Sequence, residues 1–299
     1  MTMGTDRRSV LTGLGALGVM GCDQQTPQRT PPLKVVPTLR VDFSGLEARH
    51  GGRIGIDAWS EQGAVSWRGR ERFVYCSTFK MYLAAATFLR VQGGEESLDR
   101  QVPITRDDMV NHAPVTEPSV GSSLSVERLM QAVVEVSDNP AANLLLKAMG
   151  GIAPMQAFYR GIGDQTTTAD RFEPEMNRLD GDKDTIQPAQ SRINLHRLFE
   201  DSGTPLSPSS KEKLLGWMFA SPTGTARIKA GVPAGWRVAH KTGTGGYGPT
   251  NDIGLLYPPT GAPITLAVYY HGVRTSSDAE NEAVIADATR QTLSALGYA

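Results

Sequence analysis

The chain has 299 residues, of which 39% are hydrophobic and 20% charged, and its formal net charge at pH 7 is −1. It is long and apolar enough for one large domain or two intertwined domains with a substantial core. The near-neutral charge, with no basic run and no interleaving of basic with aromatic residues, argues against a nucleic-acid partner.

Residues 1–22 have the pattern of an export signal, and we set them aside from the fold. Arg7 and Arg8 precede an apolar stretch at residues 10–20 that is too short to span a bilayer. Adjacent arginines in this place are typical of twin-arginine export. Residues 19–22 resemble a bacterial lipobox, in which Cys22 becomes the lipidated N-terminus; the alternative is an ordinary signal peptide containing a cysteine. We therefore expect a location in the bacterial cell envelope, periplasmic or secreted, with a possible anchor to the inner or outer membrane.

Residues 23–40 are predicted to be an extended tether, since four prolines lie among polar residues there. Cys76 is the only cysteine besides Cys22. With Cys22 removed or lipidated, we expect no intramolecular disulfide, despite the oxidising compartment.

Strand-like and helix-like patterns alternate along the remaining chain. A helix is predicted at residues 42–50, followed by a hairpin of strands at 53–60 and 64–70. Helical segments occupy residues 76 to about 218. The apolar run at 79–91 has almost no polar face and predicts a buried helix, and amphipathic stretches lie at 126–136, 140–149, 152–160 and 190–200. Residues 164–188 lose periodicity, and a loop of that length in a compact domain is usually functional. Strands at 236–244, 251–257 and 264–270 and a helix at 280–296 complete the chain.

Strands at both ends with helices between them predict an α+β fold. We expect an antiparallel five-stranded sheet with flanking helices, built from residues 41–75 and 220–299. An all-helical domain, residues 76–219, would be inserted and would carry the loop at 164–188. Such a division leaves a cleft between the two parts, where small-molecule sites tend to lie.

Ser77 and Lys80 lie three residues apart at the start of the apolar helix predicted over residues 79–91, and so share a helix face. Burial lowers the pKa of a lysine, which lets it accept a proton from a neighbouring hydroxyl. Backbone N–H groups at a helix start can stabilise an oxyanion. Taken alone, the spacing also fits an N-cap serine before an ordinary core helix.

Two further motifs flank helices or strands. In Ser137-Asp138-Asn139 the Ser137 hydroxyl could relay a proton and the Asn139 amide could contact substrate, or the three residues could simply cap a helix. In Lys241-Thr242-Gly243 the lysine could bind a substrate carboxylate, and Gly243 would let a substrate backbone approach the strand. The alternative for the second motif is an exposed strand end.

Glu173 and Asn177 lie four residues apart in the loop at 164–188. A carboxylate and an amide at this spacing could hold one water molecule between them. The alternative is a solvated charge cluster on the surface.

The order and spacing of these four motifs along the chain resemble those of the class A serine β-lactamases. Three of them are known signatures of that family: the serine and lysine three residues apart, Ser-Asp-Asn and Lys-Thr-Gly. The resemblance covers about residues 41–296 and is also visible at residues 76–80, 137–145 and 231–236. It implies hydrolysis of the β-lactam amide of penicillins and cephalosporins through a serine acyl-enzyme, which gives antibiotic resistance. It implies water as co-substrate, a monomer, no metal, no cofactor and no protein partner.

The resemblance also assigns catalytic roles. Ser77 would attack the β-lactam carbonyl, and the N–H groups of Ser77 and Thr244 would form the oxyanion hole. Lys80 and Glu173 are both candidate bases for acylation. Glu173 would activate the hydrolytic water, and Ser137 would pass a proton to the β-lactam nitrogen. Residues that would bind substrate are Asn139, Asn177, Arg227, Lys241, Thr242, Gly243, Thr244 and His112. Part of the family carries its carboxylate-binding arginine at the place of Arg227. Other members carry that arginine at position 250, where this chain has Thr250.

Some positions depart from the family pattern. His240 precedes Lys241 where an aspartate is usual, and His112 stands where an aromatic often lines the cleft entrance. Residues 177–184 are two residues shorter than usual, although Asp184 should still pair with Arg171 at the neck of the loop. Some carbapenem-hydrolysing relatives bridge a cysteine at the place of Cys76 to one at position 245, but Gly245 makes that bridge impossible here.

Two other functions use the same fold. A penicillin-binding D,D-peptidase shares three motifs but lacks the apparatus of Glu173 and Asn177, and a catalytically silent, lipid-anchored binding protein would not need every catalytic side chain. The five histidines show no ligand spacing, which argues against a metal-dependent hydrolase. Most of these histidines are expected at the surface.

Overall fold

The computed structural model describes residues 35–246 and 248–298. The predicted export signal with Cys22, and most of the predicted tether, lie outside the described residues. The strands are β1 Thr38–Leu39, β2 Arg53–Trp59, β3 Ala64–Trp67, β4 Phe73–Val74, β5 Gln101–Pro103, β6 Ser123–Ser125, β7 Thr185–Ile186, β8 Arg237–Thr244, β9 Pro249–Tyr257 and β10 Ile264–His271. The α-helices are α1 Ser44–His50, α2 Phe79–Gln92, α3 Val126–Glu135, α4 Asn139–Ala148, α5 Ile152–Gly161, α6 Pro188–Phe199, α7 Pro208–Ala220, α8 Ile228–Gly231 and α9 Asp278–Ala295.

The main sheet has the strand order β1-β3-β2-β10-β9-β8. The two ends of the chain meet in its middle, where β10 pairs antiparallel with β2 in the register Val268 to Ile56. The predicted α+β fold with a sheet from both termini is therefore confirmed.

The prediction of five antiparallel strands is wrong in its detail, because the sheet has a sixth strand and is mixed. Thr38–Leu39 falls within the predicted tether, yet it forms β1 and pairs parallel with β3, Thr38 opposite Ala64. The N–H of Ala64 also donates to the Pro37 carbonyl at 2.9 Å. An edge strand this short depends on its partner, and its own sequence carries no alternation that could reveal it.

The sheet buries apolar side chains on both faces. Successive residues of a strand point to opposite faces, and β10 shows this with Val268 on one side and Tyr269 on the other. The Val268 face packs against α1 and α9, whereas the Tyr269 face belongs to the same apolar core as α2 to α7. The predicted domain boundaries at 75/76 and 219/220 lie near these changes and stay predictions. None of the helices in the described part of the chain is both long enough and apolar enough to cross a bilayer.

Helix α2 is the centre of the helical part, since its residues 79–88 are all buried, Lys80 included. It follows directly on a 3-10 turn, Cys76–Thr78. This turn packs against β8, the strand at one edge of the sheet. The fold thus brings the start of α2 and the sheet edge together in one place.

Candidate active site

A cavity of about 570 Å³ opens where β8, the 3-10 turn at 76–78 and the loop at 164–188 meet. Nine of the predicted site residues line it: Ser77, His112, Ser137, Asn139, Asn177, Arg227, Thr242, Gly243 and Thr244. Lys80, Glu173 and Lys241 are almost completely buried beside it. The structure therefore brings together residues that are up to 167 positions apart, from Ser77 to Thr244.

Ser77 lies in the 3-10 turn rather than in the first turn of α2, and its side chain does not cap the helix. Its hydroxyl instead faces two ionisable groups. Ser77 Oγ accepts a hydrogen bond from Lys80 Nζ at 3.0 Å, and it lies 3.4 Å from Glu173 Oε1. The N-cap alternative is thereby excluded, and the hydroxyl is placed for proton transfer to either neighbour.

Lys80 is fully buried, and its ammonium group is surrounded by oxygen atoms. Nζ lies 2.7 Å from the Ser137 carbonyl oxygen and 3.0 Å from Glu173 Oε1, and it also donates to Asn139 Oδ1. Burial lowers the pKa of Lys80 below its ordinary value, while the Glu173 carboxylate opposes this shift. The direction is the one that a proton-accepting lysine requires.

Glu173 is held in place by two amides. Glu173 Oε2 accepts from Asn177 Nδ2 at 2.5 Å. The Glu173 N–H donates to Asn143 Oδ1 at 3.0 Å, and Asn143 Nδ2 donates to the Glu173 carbonyl at 2.9 Å. Asn143 was not predicted as a site residue. The signal that could have found it is its spacing from Asn139, since residues four apart share one face of α4.

The neck of the loop at 164–188 is closed by Asp184. Arg171 Nε donates to Asp184 Oδ2 at 2.5 Å, and the N–H groups of Asp170 and Arg171 donate to Oδ1 at 2.8 and 3.1 Å. Tyr75 Oη donates to the same Oδ1 at 3.1 Å. The carboxylate therefore ties the loop to the segment that leads into Ser77.

Ser137 connects the two buried lysines. Its Oγ is 3.3 Å from Lys80 Nζ and 3.3 Å from Lys241 Nζ. Its φ of 62° is unusual for a residue with a side chain and marks a strained turn before α4. Burial and the nearby Lys80 charge hold the pKa of Lys241 well below its ordinary value. Ser137 can pass a proton from this pair to a group in the cavity.

Gly243 is required by protein packing. A Cβ at this position would lie 2.7 Å from the Tyr75 carbonyl oxygen and 3.1 Å from the Ser77 nitrogen. The glycine admits the backbone of the turn carrying Ser77, and since Gly243 also lines the cavity, its contact with a substrate backbone stays a prediction. Asn251 Nδ2, which sequence reasoning missed, secures the same turn through the Val74 and Tyr75 carbonyls at 2.9 and 3.1 Å.

Arg227 forms the positive end of the cavity. Its Nη2 donates to Thr244 Oγ1 at 2.7 Å, and its Nη1 donates to the carbonyls of Gly243 and Asn251 at 3.1 and 2.9 Å. Its Nε donates to Glu282 Oε1 at 3.0 Å, a contact from α9 that was not predicted. The alternative position carries Thr250, which is 1% exposed and lines no part of the cavity.

The histidines differ from one another in exposure. His112 is exposed at the mouth of the cavity, and its carbonyl accepts from the Asn139 N–H at 3.0 Å. The expectation of mostly surface histidines is wrong, because only His112 is exposed, while His240 is fully buried and His50, His196 and His271 are half-buried. Burial, together with the nearby Arg53 charge, lowers the pKa of His271 to about 4. Within residues 35–246 and 248–298, no cluster of His, Cys, Asp or Glu has the arrangement to hold a metal ion.

Cys76 is a free, buried cysteine immediately before Ser77. Burial raises the pKa of its thiol, so it stays protonated and is a poor nucleophile. A Cβ at Gly245 would lie 3.0 Å from Cys76 Sγ. The position across from Cys76 is therefore within reach of a bridge, but a side chain there would also meet the Asn177 carbonyl oxygen, which would lie 2.6 Å from its Cβ.

Comparison with known proteins gives a consistent result. A model of the β-lactamase enzyme family matches residues 39–296. The carbapenem-hydrolysing β-lactamase KPC from Klebsiella oxytoca is 42% identical over 85% of this chain and 88% of its own length, and a β-lactamase from Bacillus licheniformis is 37% identical over 94% and 92%. Among solved structures, an ancestral (GNCA) class A β-lactamase is 44% identical with a TM-score of 0.81, covering 85% of this chain and 98% of that one. A β-lactamase from Xanthomonas campestris is 39% identical with the same TM-score, covering 85% and 96%. The chain belongs to the β-lactamase enzyme family and, within it, to class A.

Proposed function

We propose that this chain hydrolyses penicillins and cephalosporins through an acyl-enzyme on Ser77 and so confers resistance to them. The observation that supports this most strongly is the position of the Ser77 hydroxyl. It lies within 3.4 Å of both a buried amine, Lys80 Nζ, and a buried carboxylate, Glu173 Oε1. A nucleophile with two bases beside it can be activated in both halves of a two-step hydrolysis.

In the first step Ser77 Oγ attacks the β-lactam carbonyl carbon, and its proton passes to Lys80 or Glu173. The carbonyl oxygen becomes an oxyanion, which the N–H groups of Ser77 and Thr244 stabilise. The C–N bond then breaks. Ser137 Oγ donates a proton to the leaving nitrogen and is resupplied by Lys80, which passes on the proton of Ser77, received directly or through Glu173, so that Glu173 is again an unprotonated carboxylate.

In the second step Glu173 and Asn177 hold a water molecule against the ester. Glu173 takes a proton from the water while the water oxygen attacks the ester carbon. The C–O bond to Ser77 breaks, the proton that Glu173 took from the water passes to the Ser77 oxygen directly or through Lys80, and the ring-opened acid leaves. The clamp of Asn143 on the Glu173 backbone keeps the carboxylate in range of the ester.

The substrate carboxylate binds at the opposite end of the cavity. Lys241 supplies positive charge, and the hydroxyls of Thr242 and Thr244 donate hydrogen bonds. Arg227 stands behind Thr244 and fixes its hydroxyl. Pairing with Glu282 leaves Arg227 rigid, so little conformational entropy is lost when the anion binds.

We also propose that the protein works in the cell envelope, where β-lactams meet their targets. The support is the pattern of residues 1–22, with Arg7 and Arg8 before a short apolar stretch and Cys22 at its end. Cleavage before Cys22 followed by lipidation would leave a membrane anchor through that residue.

The experiment that tests the function is steady-state hydrolysis of a chromogenic cephalosporin, with mass spectrometry of the quenched protein. Wild type should turn over many times, and Ser77→Ala should neither turn over nor gain mass. Ser202→Ala, at an exposed serine far along the chain from the cavity residues, is the matched control and should behave as wild type. A wild-type protein that retains the adduct and barely turns over would instead be a penicillin-binding protein in function.

A further inference from the structure

His240 and Asp252 form a fully buried pair beneath the carboxylate end of the cavity. His240 Nδ1 lies 3.0 Å from each carboxylate oxygen of Asp252, and both side chains are 0% exposed. A carboxylate only accepts, so Nδ1 carries the proton and donates. Gly254 stands opposite His240 across the strands, and a Cβ there would lie 3.0 Å from His240 Cβ.

Asp252 connects two parts of the site that are separate in sequence. His240 immediately precedes Lys241 on β8. Asp252 Oδ2 also accepts the backbone N–H of Ile228 at 3.2 Å, and Ile228 immediately follows Arg227. One carboxylate on β9 therefore fixes the residue next to each of the two cations that bind the substrate carboxylate.

The pair is a costly way to fill this space. His240 Nε2 has no hydrogen-bond partner among the described residues. An unpaired polar atom in a buried position lowers the free energy of unfolding. Further along the same two strands, Val238 and Leu256 belong to an apolar core cluster. A buried polar pair of this kind can often be replaced by well-packed apolar side chains without loss of stability, so stability alone does not account for it.

We propose that Asp252 and His240 are positioning residues that hold Lys241 and Arg227 in place for the substrate carboxylate. The inference rests on the proposed function and adds two residues to its recognition of the anion. The negative charge of Asp252 also opposes the effect of burial on Lys241, which favours the charged lysine that anion binding needs.

The test compares a chromogenic cephalosporin carrying a free carboxylate with its methyl ester. Asp252→Asn keeps the size of the side chain but removes its charge. We expect it to raise KM for the free acid about tenfold with a smaller change in kcat, and to leave hydrolysis of the ester nearly unchanged. The preference for acid over ester should therefore fall about tenfold. His240→Asn should also lower the preference for acid over ester. This variant provides the test if Asp252→Asn does not fold.

A matched control separates positioning from general stability. Asp57 on β2 is also buried, at 5% exposed, and accepts from Arg192 Nε at 2.8 Å, but it lines no part of the cavity. Asp57→Asn should lower the melting temperature without changing the acid-to-ester preference. The proposal is overturned if Asp252→Asn and His240→Asn both retain the wild-type preference for acid over ester. It is also overturned if Asp57→Asn lowers this preference as much as they do. If wild type hydrolyses neither compound, the proposed function itself fails, and the inference fails with it.

Discussion

Asn143 offers a sharp test of how the hydrolytic carboxylate is held. Its amide makes two hydrogen bonds to the backbone of Glu173, at 3.0 and 2.9 Å, and both Asn143 and Glu173 are buried. Asn143→Ala leaves one N–H and one carbonyl without a partner. Each costs about 1–3 kcal/mol, so the free energy of unfolding should fall by about 2–6 kcal/mol if the loop cannot rearrange. If the loop does rearrange, the loss in free energy of unfolding is smaller, but the Glu173 carboxylate is displaced from its position in the site.

The assay separates acylation from deacylation by single-turnover kinetics on a chromogenic cephalosporin. We expect deacylation to slow by about tenfold to a hundredfold, because a shift of about 1 Å can cost about 10²-fold, while acylation changes less. Gln156→Ala is the control, since Gln156 clamps the same loop through the Ala169 N–H at 2.8 Å and the Thr167 carbonyl at 3.1 Å. It should lower stability but not deacylation. Equal slowing by both variants, or wild-type deacylation in Asn143→Ala, would refute the reasoning.

Three further predictions concern the strand edge and the buried lysine. Gly243→Ala should push β8 away from the Ser77 turn, since the new Cβ would meet backbone atoms at 2.7–3.1 Å, and kcat should fall by about 10²–10³ as the oxyanion hole opens. Gly245→Cys should form a disulfide with Cys76 after air oxidation, with a shift of the Asn177 carbonyl, which would otherwise lie 2.6 Å from the new Cβ; Cys76 and the introduced cysteine should both resist alkylation in denaturant until reduction, and alkylation of both without reduction would contradict the prediction. Because the pKa of Lys241 is lowered, the folded state binds fewer protons than the unfolded state between that pKa and about 10.4. The free energy of unfolding should therefore rise with pH in this window, and Lys241→Met should flatten the rise measured by urea unfolding.

The fold was predictable where apolar residues repeat with a clear period. The strands β2, β8, β9 and β10 lie close to their predicted bounds for this reason, and the helix α2 does so because it is one long apolar run. β1 was missed because its two residues, which follow Pro37, are too few to show an alternation of apolar and polar side chains. Only their pairing with β3 makes them a strand. α7 lies in the region expected to be helical, but its first and last residues could not be predicted, because Pro208 and Gly216 both weaken the helical pattern.

The site divides in the same way. Ser77, Glu173 and Lys241 belong to short motifs whose order along the chain identified them. Asn143 and Asp252 belong to none of the motifs that we singled out for chemistry, and each reaches the site only because a helix or strand packs there. Glu282 and Asn251 were missed for the same reason. Tertiary packing, rather than local sequence, decides which single polar residues support a site.

The central claim is that Glu173 activates the water that releases the acyl group from Ser77. Glu173→Gln preserves the size and shape of the side chain but removes the base, and its single carbonyl oxygen can accept from either Lys80 or Asn177 but not from both. Glu175→Gln, two residues along the same loop, is the control. Time-resolved mass spectrometry with a penicillin should show the acyl adduct accumulating on Glu173→Gln while wild type and the control remain free. An adduct that clears from Glu173→Gln as fast as from wild type would contradict the account.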